Sequence, residues 1–261
     1  MKRWIFSALM LCMLPLNAQD HVQDESEKKG RVLLQQMVEA LGGPAWLNRS
    51  TWETTGRAAS FFKNEPEGVQ LYREFHKSTP GSSGVSRIEL TKKRDVVEIW
   101  TADAGYDVIF KGKKPLPKDV VESYFRRQSH SIDTVVQQWL KQPGTIVSYD
   151  GLDNVQRRQV DRVTIINPQN DAVTLDLDSS THLPSRRSFR YRNATYGDYD
   201  QEQEEYADYH VYDGVQTPLS ITRYKNGDMT AQIFVQTAKY NVSLPEEIFN
   251  PDRPYNAPKV K

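Results

Sequence analysis

Residues 218–240 read PLSITRYKNGDMTAQIFVQTAKY, and this stretch decides the fold. Asn226-Gly227 is the strongest hairpin signal in the chain, since both residues of such a two-residue turn need positive φ. On either side the residues alternate with period two, as half-buried strands do. The spacing predicts a strand over Pro218–Lys225 paired antiparallel with one over Met229–Tyr240.

The same rhythm runs outward from there. It predicts strands over Thr145–Tyr149, Gln156–Ile166, Ala172–Asp178, Ser185–Tyr196 and Gln201–Tyr212, with Asp150-Gly151 and Asp213-Gly214 as weaker turn signals. Nearer the N-terminus it predicts Trp52–Phe62, Val69–Lys77, Val85–Lys92, Val96–Thr101 and Tyr106–Phe110. Glu65-Pro66-Glu67-Gly68 and Thr79-Pro80-Gly81 read as breaks between them. About twelve strands with short connections imply an antiparallel meander rather than βαβ units.

Helices occupy two places. Asp24–Leu41 carries Leu34, Met37, Val38 and Leu41 on one stripe; Asp24 and Glu27 have capping-box spacing, and Gly42-Gly43-Pro44 is a stop. A helical insertion follows the first group of strands. Pro117 suits a first helical position, and Val120, Val121, Tyr124 and Phe125 share a face. Ser131 suits the N-cap of a second helix with Ile132, Val135, Val136, Trp139 and Leu140 in phase. Two amphipathic helices inserted in a sheet either close its open mouth or cap a filled core. Periodicity leaves both open.

The N-terminus reads as an export signal. Lys2 and Arg3 precede an apolar run from Trp4 to Leu16, too short to span a bilayer, and Ala18 suits a cut site. Residues 1–18 are expected to be removed, taking the only cysteine, Cys12, and leaving 19–261 as one domain. The mature chain then has 32 basic against 34 acidic residues, which excludes a protein built mainly to hold nucleic acid. Apolar content is 38%, below the roughly 45–50% of typical globular chains, as a sheet with one wet face would give. A multi-span membrane protein and a disulfide-stapled miniprotein are also excluded.

Catalytic patterns are sparse. His21, His76, His130, His182 and His210 show no metal-ligand spacing. Ser60 and Ser26 open S-x-x-K matches without the partner motifs that chemistry needs. Asp176 and Asp178 alternate with Val173, Leu175 and Leu177 and are expected on a wet strand face. The acids Asp198, Asp200, Glu202, Glu204, Glu205 and Asp208, interleaved with Tyr196, Tyr199, Tyr206, Tyr209 and Tyr212, read as a solvated strand pair. No catalytic set, metal site or cofactor is expected.

Ordered motifs across residues 37–251 carry a resemblance. Ala40-Leu41-Gly42-Gly43 precedes a strand bearing Gly56; Leu175-Asp176-Leu177-Asp178 is followed by Thr181-His182-Leu183-Pro184. The close runs Asp208-Tyr209, Asp213-Gly214-Val215, Pro218, Asn226-Gly227, Asn241, Phe249 and Pro251. This pattern resembles the outer-membrane lipoprotein-sorting (LolA-like) superfamily. The resemblance implies an α+β, mainly antiparallel fold: a curved, incomplete β-barrel with an N-terminal helix and two lid helices over a hydrophobic cavity. It implies a periplasmic, non-catalytic protein that carries a lipid, a lipoprotein acyl chain or another long apolar ligand.

Alternation offers Trp52, Leu71, Phe75, Trp100 and Ile109 as cavity residues of the sheet, and Val136, Trp139 and Leu140 as lid residues. Arg73, in phase with Leu71 and Phe75, is the candidate latch to lid backbone. The expected partner is a lipid or lipidated ligand, with an envelope protein as a further possibility. The alternatives are an envelope sensor or interaction module with a filled core and, less favoured, an enzyme on the same scaffold.

Overall fold

Period-two alternation makes strands, and backbone hydrogen bonds join them all. The structure, a computed structural model, describes residues 17–79, 81–90 and 96–253. In chain order these form helices α1 (Asn17–Leu41) and α2 (Pro44–Leu47), then strands β1 (Thr51–Phe62), β2 (Glu65–Lys77), β3 (Val85–Leu90), β4 (Val96–Trp100), β5 (Gly105–Ile109) and β6 (Gly112–Pro115). Helices α3 (Lys118–Ser129) and α4 (Ile132–Gln137) follow, with a 3₁₀ turn at Trp139–Lys141. Seven strands complete the sheet: β7 (Ile146–Val155), β8 (Arg158–Ile166), β9 (Ala172–Asp178), β10 (Pro184–Arg192), β11 (Tyr199–Tyr212), β12 (Val215–Lys225) and β13 (Asp228–Tyr240). A last 3₁₀ turn covers Glu246–Phe249.

Among the described residues there is one thirteen-stranded sheet, ordered β6-β5-β4-β3-β2-β1-β13-β12-β11-β10-β9-β8-β7. Every pairing is antiparallel, and the end strands β6 and β7 do not meet, so the barrel stays open. The middle of the sheet joins the first strand to the last, with Trp52 opposite Tyr240 and Ser60 opposite Ala231. A bulge lies between Thr55 and Gly56 on this seam. A Cβ at Gly56 would overlap the carbonyl oxygen of Phe234 and stand 2.9 Å from the Tyr72 ring. Gly56→Ala is therefore expected to cost about 2–3 kcal/mol, because backbone cannot swing aside, and a urea midpoint unchanged from wild type would refute the close approach.

One face of the sheet carries the main core. From α1, Leu33, Leu34, Met37 and Leu41 pack with Val135, Val136 and Trp139 onto Val147, Val163, Ile165, Val173, Leu175 and Phe189. Gly30 lets α1 approach β7, since a Cβ there would stand 2.8 Å from Val147. Ser26 closes the outer edge of β7: its hydroxyl accepts from Tyr149 N at 2.9 Å and donates to Tyr149 O at 3.1 Å. An edge strand left bare would invite pairing with another chain. On the opposite face Phe75 packs with Ile248 and Phe249, held down where Arg87 donates to Ile248 O at 3.3 Å.

Several expectations change. The export-signal run and Cys12 fall in residues 1–16, outside the described residues, and α1 already runs through Asp24, so the Asp24–Glu27 capping box is not used. Glu65-Pro66-Glu67-Gly68 is strand rather than break: it extends β2 past the end of β3, where only β1 pairs with it and proline's missing donor costs nothing. Asp150-Gly151 is a bulge within β7, and the β7–β8 turn falls at Gln156-Arg157, both at positive φ. Strand β6 and the short helix α2 are additions.

The acids also behave differently from expectation. Asp176 is 2% exposed and lies between Arg162 at 2.8 Å and Arg186 at 2.6 Å. Asp178 folds back to accept from the backbone of Ser180 and Thr181, at 3.0 Å each. Neither faces open water, because β8 and β10 supply arginines beside β9.

Candidate ligand site beneath helix α3

The two inserted helices do different things. Ser131 caps α4 as expected, accepting from Thr134 N at 3.1 Å. Val136 and Trp139 are buried in the main core, and Leu140 packs at its edge. These three lid candidates therefore lie in or against the main core. Helix α3 buries no residue, and Val120 on it is 41% exposed. Pro117 stands just before the helix rather than in its first turn.

Aromatic stacking holds α3 to the sheet. The Tyr124 ring lies on Trp100 at 3.8 Å and 12°, and Phe125 meets Trp100 edge-on at 6.4 Å. Trp100, 3% exposed, donates from Nε1 to Glu98 at 3.2 Å. One strand pair away Trp52 stacks on His76 at 3.9 Å, and His76 Nδ1 shares a hydrogen bond with Ser86 Oγ at 2.7 Å. Burial, then the nearby Arg49 charge, pushes His76 down to about 3, so its ring stays neutral. Ile109, opposite Val96, falls in the same phase as Trp100, its β4 neighbour's alternate position.

The structure separates the other sheet candidates from these. Tyr72, Glu74 and His76 alternate toward the face where Trp52 and Trp100 stand. Leu71, Arg73 and Phe75 point to the opposite face, where Phe75 meets the last 3₁₀ turn. Arg73 pairs with Glu53 at 2.8 Å and lies over the Phe75 ring at 4.5 Å, with the sheet between it and α3. The expected set is therefore split: Trp52, Trp100 and Ile109 share the α3 face, while Leu71, Phe75 and Arg73 lie on the other, where the apolar segment after β13 covers Phe75.

The arginine that binds the backbone of the inserted helices is Arg187 on β10. It is 2% exposed and donates from Nη1 to the carbonyl oxygens of Arg127 at 3.1 Å and His130 at 2.6 Å. Its other nitrogen pairs with Glu204 at 2.8 Å, and Glu204 also takes Arg223 at 2.8 Å and the Tyr206 hydroxyl at 2.7 Å. Burial alone would raise the Glu204 carboxyl, but Arg187 and then Arg223 hold it far below the usual range. Burial likewise depresses the Arg187 guanidinium, and Glu204 more than reverses this. Nearby, Glu202 is shared by Arg126 at 3.5 Å and Arg127 at 3.9 Å. Glu202 and Glu204 of the tyrosine–acid stripe thus form a covered charged layer under α3, while Tyr196, Asp198, Tyr199 and Asp208 stay exposed. The sequence signal for it was the phase of Arg187 with Phe189 and Tyr191.

Across the face, burial raises Glu74 to about 7, against the pull of Arg223, and also raises Glu98. His130, 6% exposed, stacks on Phe189 at 4.3 Å and makes a 2.8 Å bond through Nδ1 to Arg126 O.

A cleft of about 700 Å³ opens between α3 and the β4–β6 edge. Val121 and Phe125 of the helix face Ala104, Tyr106, Pro115 and Leu116 across it. Lys118 and Arg126 stand at its polar rim. Among the described residues no group of three or more His, Cys, Asp or Glu side chains converges as a metal site, and no helix is long and apolar enough to cross a membrane.

No family model and no curated protein sequence matches the chain. Solved structures do. A domain described as an outer membrane lipoprotein-sorting protein of Vibrio parahaemolyticus aligns over 86% of this chain and 97% of its own, at 14% identity and TM-score 0.57. A DUF1329 family protein of Desulfovibrio piger aligns over 86% and 97%, at 12% identity and TM-score 0.58. A LolA superfamily protein of Nitrosomonas europaea aligns over 85% and 98%, at 12% identity and TM-score 0.53. At these identities the likeness is one of fold, and the fold is the LolA-like open barrel.

Proposed function

We propose that this chain, built on the fold it shares with lipoprotein-sorting and LolA-like structures, is a non-catalytic envelope protein that binds the acyl chain of a lipid or lipidated partner. The observation that carries the reading is the apolar cleft beside α3, under a helix that buries none of its own residues. Its size falls among clefts that hold small ligands, roughly 300–1,000 Å³. Each acyl methylene taken from water gains about 0.8 kcal/mol, so an apolar trough binds without a reactive group. Fold alone does not settle function, and the cleft is what favours a carrier.

Within this reading Val121, Phe125, Tyr106 and Leu116 contact the chain, and Trp100 is the floor on which α3 rests through Tyr124. Helix α3 is the lid, and Arg187 fills the latch role first assigned to Arg73. The main core under α4 stays out of the ligand path. An export signal and a periplasmic location fit the same picture.

Native mass spectrometry of the exported chain, purified without detergent and then incubated with oleate, tests the reading. The expected result is a discrete one-chain adduct whose population falls at least tenfold in Val121→Asp, with the urea midpoint little changed because Val121 lies at the surface of the lid. A bare protein mass at every oleate concentration would sink the proposal.

A further inference from the structure

Helix α3 has a second cleft on its other flank, of about 530 Å³, between the helix and the β10–β11 turn. Where the first cleft is lined by Val121 and Phe125, this one is lined by Arg126, Arg127, Arg192 and Lys225. Both clefts include Glu122 and Arg126, so they meet across one ridge of the helix, about 10 Å wide.

Three acids line the second cleft, and two of them are already paired. Asp200 accepts from Tyr191 at 3.1 Å, from Asn193 and Asn226 at 2.9 Å each, and pairs with Lys225 at 3.1 Å. Glu122 pairs with Lys118 at 3.5 Å. Asp119 lies in the first turn of α3, where the helix dipole favours an anion.

The arginines are less well matched. Arg126 and Arg127 share the one carboxylate of Glu202 at 3.5 and 3.9 Å, long for charge-assisted bonds. Behind them Arg187 and Arg223 share Glu204, so four guanidinium groups divide two carboxylates. The Arg126 guanidinium lies 3.7 Å over the Tyr191 ring with Nη1 3.5 Å from Glu202, a stack that holds its planar fork in place for a planar or tetrahedral anion.

We propose that this cleft is the head-group subsite for a phosphate monoester, held by Arg126 and Arg127, on an amphiphile whose acyl chain lies in the apolar cleft. The subsite rests on the carrier reading and narrows its ligand to an anionic amphiphile. A doubly charged phosphate supplies the negative charge that the arginine layer lacks, and its three oxygens can take bonds from more than one fork.

Titration calorimetry of the full chain with three probes decides it: oleoyl lysophosphatidic acid, monooleoylglycerol and glycerol 3-phosphate. The lysophosphatidate is expected to bind at least tenfold more tightly than the neutral monoacylglycerol, with an advantage that shrinks as salt rises. Arg127→Gln, at a residue that lines the second cleft and not the first, should remove most of that advantage and leave the monoacylglycerol affinity within twofold. Equal affinity for the two acyl probes would overturn the subsite and leave the carrier reading standing. Failure of both to bind would overturn the carrier reading itself. Glycerol 3-phosphate binding as tightly as the lysophosphatidate would show a site for a free phosphate and overturn the link to an acyl chain.

Discussion

Arg187→Ala is expected to lower the unfolding free energy by about 3–5 kcal/mol, the range for removing one partner of a buried charge pair. The loss has two sources. Glu204 keeps Arg223 but loses its 2.8 Å partner, at a carboxylate only 12% exposed. The carbonyl oxygens of Arg127 and His130, at the end of α3, lose their donor together. Unsatisfied buried acceptors cost about 1–3 kcal/mol each when nothing replaces the bond. Urea unfolding reads the total. Because the alanine variant risks not folding, Arg187→Lys provides the second arm: it keeps the charge but lacks the fork that spans both carbonyls and Glu204. Its α3 amides should exchange with solvent faster than those of wild type, while β8 and β9 amides keep their protection. A Lys variant with wild-type exchange in α3 and an Ala variant losing under 1 kcal/mol would together refute the latch.

Glu74→Gln should change how stability depends on pH, by about 2–3 kcal/mol between pH 5 and pH 8. The folded state raises the Glu74 carboxyl to about 7, first by burial and despite Arg223, from an ordinary value near 4.5. Between those two values the folded chain holds a proton that the unfolded chain has released. Raising pH through that window therefore destabilises the fold, and the Gln variant, with nothing to ionise, escapes the loss. Its advantage should be near zero at pH 4.5 and fullest at pH 8. His76 acts with the opposite sign at lower pH. Its folded value is depressed to about 3, so the unfolded chain binds the proton first and stability falls as pH drops below about 6.5. Subtracting the two denaturation series isolates Glu74, since His76 is common to both. A constant offset from pH 4.5 to 8 would show that folding does not raise the Glu74 carboxyl.

The sheet was legible because its strands each bury one side, and burial on one side writes period two into the sequence. Asn226-Gly227 and Asp213-Gly214 turn where expected, with positive φ at each residue. What the sequence hid is which side faces inward. Strand β2 carries Leu71, Arg73 and Phe75 on one side and Tyr72, Glu74 and His76 on the other, and local pattern favours the apolar set for a cavity. Ile248 and Phe249, far along the chain, take that set for the outer face. The acids of β11 misled for a related reason. A run rich in Glu reads as wetted until its cross-strand partners are known, and Arg187 and Arg223 come from separate strands on its two sides. Trp100 could be picked out as a large aromatic at the right phase; its Tyr124 partner could not, because the stacking depends on how α3 crosses the sheet.

The pairing of β1 with β13 has a consequence for how the chain assembles. Outward from that seam, each strand down to β6 on one side and β7 on the other bonds to its neighbour in sequence. These are two ladders of local hairpins, each cheap in loop entropy and able to zip from its own turns. The seam alone joins residues nearly the whole chain apart. It cannot form until β13 has emerged, and it must hold the Gly56 bulge in register when it does. A chain threaded across a membrane from its N-terminus would thus present the β1–β6 ladder with one bare edge on β1 until the final strand arrives. The slow step and the aggregation-prone interval are the same event, and they end with one hairpin, Asn226-Gly227, delivering the last strand.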